Sequence, residues 1–142
     1  MKTFKNLPLL TVILPHPGRE LSPNGHKPMT KKGAMIANKM AVTSKKKARE
    51  LAKLKAIEAG AKELTAKPNA YKIYWYYIGQ KRDADNTVAS CKAYMDGICQ
   101  AIGMDDRDLE IVGVERVYDR VRRGHVVIRF YERVLMEKGG DQ

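Results

Sequence analysis

Between Ala70 and Tyr118 the chain changes its hydrophobic period twice, and this limits the folds open to it. Ala70 to Ile78 is dense in aromatic and β-branched residues, among them Tyr71, Ile73, Trp75, Tyr77 and Ile78. Such a run suits a strand, and one this apolar is expected at the centre of a sheet. Val88, Cys91, Met95, Ile98, Cys99 and Ile102 then recur at helical spacing, with Gly103 closing the helix. Leu109 to Tyr118 is again a strand pattern rich in Val and Ile.

The flanks extend the pattern. Leu9 to Leu14 reads as a strand and runs into a loop punctuated by Pro15, Pro17, Gly18, Pro23, Asn24, Gly25 and Pro28, long enough to be functional. Gly33 to Met40 is followed by Ser44 to about Thr65, a stretch dominated by Lys, Ala, Glu and Leu, which dictates helix. Ser44 can cap the second piece, Leu51, Leu54 and Ile57 share one stripe, and Pro68 follows its end. After a basic turn ending in Gly124, His125 to Tyr131 is a last strand, expected to form a hairpin with the one before it; Glu137 to Gln142 reads as a frayed tail. The order strand, helix, strand, helix, strand, strand predicts a single α+β domain, α/β-like, over residues 1–142: one mixed sheet with two main helices on one face.

Charge is distributed unevenly along this frame. The net charge is +11, yet from Met1 to Lys67 there are 15 Lys and Arg against 4 acids, while the remainder carries 12 against 12. A polyanion is the natural partner of such a basic half, because each neutralised phosphate releases condensed counterions; a lysine-rich helix face kept in solvent is the alternative. No apolar run approaches the roughly 18 residues of a membrane span. The prolines that bracket Leu9 to Leu14 also make it a poor signal peptide, so an intracellular protein is expected. Cys91 and Cys99 fall in one predicted helix, about 12 Å apart along its axis, too far to bond to each other. With His16, His26 and His125 scattered, the thiols read as buried and reduced, and zinc has little support.

Five acids interrupt this basic chain: Asp83, Asp85, Asp105, Asp106 and, within the helix, Asp96. If the backbone is extended at Asp83-Ala84-Asp85, both carboxylates face one point, an arrangement that hard cations such as magnesium take. Asp105 and Asp106 join them only if the strand that follows runs beside the earlier one. The alternative is structural: Asp85 or Asn86 caps the helix, and Asp105 and Asp106 shape a turn. Lys81 and Arg82 stand directly before the pair, beside a helix start that suits phosphate. Lys92 lies off the apolar stripe, so that it either points at the acids or pairs with Asp96 one turn on.

Lys81-Arg82-Asp83-Ala84-Asp85-Asn86, then Lys92-Ala93-Tyr94-Met95-Asp96-Gly97-Ile98, then Gly103-Met104-Asp105-Asp106 resemble, in order and separation, the RusA family of junction resolvases. The likeness extends from about Tyr71 to Tyr131 and in character to the N-terminal strand and loop. It implies a RusA-like fold and a homodimer that nicks two strands of a four-way DNA junction symmetrically in recombination and repair. Magnesium, or manganese, would be held by Asp83, Asp85 and Asp106, with Asp105 able to replace its neighbour. Lys92 corresponds to the family's functional lysine, and a phage or prophage origin in a bacterial cytoplasm is implied. Lys31, Lys32, Lys45, Lys46, Lys47, Lys81 and Arg82 are candidates to grip the DNA arms by shape rather than base sequence. A non-catalytic nucleic-acid-binding protein, a nuclease for other branched DNA, and an RNA-binding protein are the competing readings.

Overall fold

The computed structural model of the chain describes residues 2–18, 21, 30–79, 81, 83–121 and 123–137. Their elements are β1 (Lys2–Leu14), α1 (Lys31–Glu58), β2 (Ala70–Tyr77), α2 (Ala84–Ser90), α3 (Lys92–Ile102), β3 (Glu110–Tyr118) and β4 (His125–Glu137). Short 3-10 turns at Ala61–Glu63 and Asp106–Asp108 precede β2 and β3. The fold is α+β, with one mixed sheet, as the pattern predicts.

Strand order is β1-β4-β2-β3. β4 is antiparallel to both β1 and β2, and β3 lies parallel to β2 at the edge. The strand–helix–strand tract around Ala70 to Tyr118 therefore makes a parallel pair, as a crossover through helices requires. The expected hairpin of the last two strands does not form, because β2 separates them. β4 instead enters between β1 and β2, where both its edges are bonded. Centrality of β2 is as expected.

The registers sort side chains onto two faces. Leu10, Val12 and Leu14 pair with Phe130, Ile128 and Val126, and these in turn flank Ile73 and Trp75. All are buried in one cluster with Ala48, Ala52 and Ala56 of α1 and Tyr94, Met95, Ile98 and Ala101 of α3. Helices thus cover one face of the sheet. Parity changes at a bulge between Pro8 and Leu10, which lets β1 run on to Lys2 instead of stopping at Leu9.

The first helix departs from its sequence reading. It is one helix, capped by Thr30, whose Oγ1 accepts from the Gly33 amide at 3.0 Å, and Ser44 lies in its middle. The buried stripe is alanine; Leu54 and Ile57 are exposed and Leu51 half-buried. The reason is proximity. α1 packs closely on α3, and a Cβ on Gly97 would overlap the Arg49 backbone carbonyl. Only small residues fit at such a crossing, so the larger side chains turn outward.

The second predicted helix is also broken, into α2 and α3, with Cys91 between them at φ −91° and ψ 0°. Gly103 closes α3 in the left-handed region at φ 87°, as its position predicts. Both cysteines are free and buried. Pro23, Asn24, Gly25, His26 and Pro28 of the N-terminal loop, and 138–142 of the tail, lie outside the described residues; Glu137 belongs to β4.

Candidate functional site

Lys92 begins α3, and its exposed ammonium bridges two acids. Nζ donates to Asp106 Oδ2 and lies 3.3 Å from Asp96 Oδ1. The Asp106 carboxylate, aided by Asp96, holds the Lys92 ammonium above the usual lysine range. Sequence offered Asp96 and the acids as alternative partners for this lysine, and the structure gives it both. Beneath them is Tyr71 of β2, whose phenol is raised first by burial and then by Cys91 and Asp106.

Asp106 and Asp105 point to different work. Asp105 caps the 3-10 turn, accepting from the Arg107 amide at 3.0 Å, and its other oxygen meets the Arg107 guanidinium at 3.0 Å. These contacts hold its carboxyl below the ordinary range, the amide bond contributing most. Asp105 thus fills the turn-shaping role, while its half-buried neighbour Asp106 turns toward Lys92.

Asp83 is the cap of α2, where Oδ1 accepts from the Asn86 amide at 3.3 Å. Thr87 adds a bond from its hydroxyl to the Asp83 carbonyl at 3.0 Å. Asp85 is already in the first turn of α2, so the alternation that would align it with Asp83 does not apply. The cap falls on Asp83, earlier than Asp85 or Asn86. The helix is only 7 residues long, too short to offer much of a dipole to phosphate.

β3 does run beside β2, as joining the acids demands, but the pair is parallel. Asp106 stands before the start of β3 and Asp83 after the end of β2, so the two approach from opposite ends of the sheet. Among the described residues no three His, Cys, Asp or Glu side chains converge on one point that suits a metal. Asp83, Asp85 and Asp106 supply oxygen donors of the kind magnesium takes, but in this arrangement they form no cage, and Asp106 is engaged by Lys92.

Beside the Lys92 pair is an open hollow of about 340 Å³ lined in part by Arg49, Asp96, Gln100, Asp105 and Asp106. Sequence reasoning passes over Arg49 because it looks like one more cation of the basic helix; only the close approach of α1 and α3 brings it here. Lys31, Lys32, Lys45, Lys46, Lys47 and Lys81 are all exposed, and Arg82 lies outside the described residues.

The fold and these groups define a basic α+β protein whose helices carry a lysine–aspartate cluster at their junction with the sheet. No family model matches the chain. An uncharacterized protein of Xylella fastidiosa (strain Temecula1 / ATCC 700964) is 33% identical over 123 residues, covering 83% of this chain and 73% of that one. The chain belongs to the family of that protein.

Proposed function

We propose that the protein is a metal-dependent endonuclease for branched DNA, a four-way junction resolvase of RusA type that works as a homodimer in a bacterial cytoplasm, of phage or prophage origin. What supports this reading is the contact between Lys92 and Asp106, at opposite ends of the α3 segment, which the resemblance assigns to one site.

Magnesium, when bound, would activate water and offset charge on the scissile phosphate. Asp83, Asp85 and Asp106 are the residues that would hold it, although as they stand Asp83 caps α2 and Asp106 engages Lys92. Lys92 is placed to lend positive charge to a phosphate oxygen once Asp106 is otherwise engaged. The exposed lysines of α1 hold the DNA backbone through charge.

The test is cleavage of a labelled synthetic four-way junction, with and without magnesium, by the wild type and by Asp85→Asn. Paired nicks that need the metal, vanish in the variant and leave binding intact are expected. Tight binding with no magnesium-dependent cutting would establish the non-catalytic reading. Faster cutting of flaps or forks would keep the nuclease and change its substrate.

A further inference from the structure

The core cluster occupies one face of the sheet, and the other is lined by aromatic rings and cations. The registers set Lys72, Tyr74 and Tyr76 of β2 beside Arg129, Val127 and His125 of β4, and Phe4 of β1 beside Leu135. Outward positions on β4 recur at every second residue, ~6.6 Å apart, so that His125, Arg129, Tyr131 and Arg133 form a track of ~26 Å. Rings and positive charges are interleaved along it.

Four of these side chains form a group. The Tyr74 and Tyr131 hydroxyls meet at 3.5 Å, and Lys72 Nζ and Arg129 Cζ each lie 4.9 Å from the centre of the Tyr74 ring. The Tyr131 hydroxyl, and after it the Lys72 and Arg129 charges, hold the Tyr74 phenol below the usual tyrosine range, which makes it a better donor to an anion. The charges here are not balanced. Glu115 meets Lys72 at 2.7 Å and Glu110 meets Arg133 at 3.3 Å, whereas exposed Arg129 has no carboxylate partner among the described residues. A guanidinium laid on a ring uses its flat face and keeps its in-plane N–H donors, the ones that grip a phosphate. Phe4 is 57% exposed even with Arg133 at 4.0 Å from its ring, and Tyr76 stacks with His125 at 4.3 Å, so aromatic surface flanks Arg129 on both sides.

These features select the occupant. A second copy would set the cations against their own images across a two-fold axis. A duplex keeps its base faces stacked on one another, but an unpaired strand offers both a phosphate for Arg129 and bare bases for the rings. We propose that this face of the sheet binds an unpaired DNA strand, with Arg129 and the Tyr74 and Tyr131 hydroxyls on a phosphate and the Tyr131, Tyr76 and Phe4 rings against bases. It is a second DNA site, across the sheet from Lys92 and Asp106 and apart from the lysines of α1, and it suits bases left unpaired where the arms of a branch part. The choice of DNA rests on the nuclease reading; the strand site rests on the sheet alone.

Fluorescence anisotropy of the full chain with a labelled oligo-dT of ~12 nucleotides, within the range that single-strand platforms occupy, tests it. Oligo-rU and blunt duplex of the same length are the comparisons, all without magnesium. Oligo-dT is expected to bind tightest. Arg129→Gln and Tyr131→Ala are each expected to weaken it about tenfold or more, and Arg129→Gln to reduce the slope of log affinity against log salt by ~0.7. Lys62→Gln, which removes the same charge from an exposed turn, is expected to leave it unchanged. Should Tyr131→Ala fail to fold, Arg129→Gln decides alone, because its side chain is exposed. A loss in Arg129→Gln no greater than in Lys62→Gln, or tighter binding of the duplex, overturns the site; tighter binding of oligo-rU overturns the choice of DNA. Face variants that turn a dimer into a monomer in sedimentation would give the surface to a second copy instead. Magnesium-dependent junction cutting is scored separately. Its absence beside intact oligo-dT binding defeats the nuclease and leaves this site, while full cutting with unaltered oligo-dT binding by Arg129→Gln does the reverse.

Discussion

Cys91 shows how much one residue's environment decides. Burial pushes its thiol up to about 12, and burial followed by the Asp106 charge takes Cys99 to about 12 as well. Because the thiolate is the reactive form, both cysteines should label negligibly with iodoacetamide at neutral pH in the native state and fully in denaturant. Fast native labelling would show that the α2–α3 break opens. Gly97 is equally constrained. Gly97→Ala sets a Cβ against the Arg49 carbonyl, backbone against backbone, so α1 must lift from α3. A destabilisation of at least about 1–3 kcal/mol is expected, read as a lower urea midpoint. The cysteines' burial was legible from their place in an apolar stripe; the glycine's role was not, since nothing local marks a residue that must be small for a distant partner.

At the scale of elements, the turn between β3 and β4 is organised by one acid. Buried Asp119 accepts from the Val121 amide at 3.0 Å and the Gly124 amide at 2.9 Å, and its carboxylate faces His125 at 3.4 Å. Burial alone would raise its carboxyl, but these amides and His125 together hold it below the ordinary range. A depressed folded value means the contribution is fully present above the unfolded carboxylate value of about 4 and is lost as pH falls through the folded one. The protection factors of the Val121 and Gly124 amides, measured against intrinsic exchange at each pH, should therefore fall on acidification below pH ~4, and in Asp119→Ala should already be low at pH 7. Protection that is unchanged in the variant would remove Asp119 from this role. The sequence identifies a basic turn here but not its acid anchor, because an Asx turn competes with many equivalent uses of Asp. α1 carries a similar lesson: propensity announces helix, yet Ser44 and Thr30 suit the cap equally by residue type, and only the chain's path gives the role to Thr30.

For the molecule as a whole, the concentration of positive charge in the first half lies on exposed helix, at Lys31, Lys32, Lys45, Lys46 and Lys47. If these contact phosphates, the triple change of Lys45, Lys46 and Lys47 to Gln should weaken DNA binding about equally for all sequences. It should also reduce the slope of log affinity against log salt by up to about 2.7, or ~0.9 for each phosphate no longer neutralised. A slope that does not move would place the DNA elsewhere. The described residues include no helix long and apolar enough to cross a membrane.

By itself the sequence determined the α+β class, the element order, the central place of β2, the buried thiols and the cap at Gly103, because each follows from a local period or a single residue's conformational freedom. Strand order belonged to the tertiary structure. β4 pairs with β1 and β2 rather than with its neighbour in sequence, since its continuous Val126, Ile128 and Phe130 stripe buries most fully between two strands. The site divided along the same line. Lys92 and Asp106 were named from the motif, but their contact, the cap taken by Asp83 and the approach of Arg49 were decided by how α1, α3 and the parallel pair pack, and packing between distant segments has no local signature.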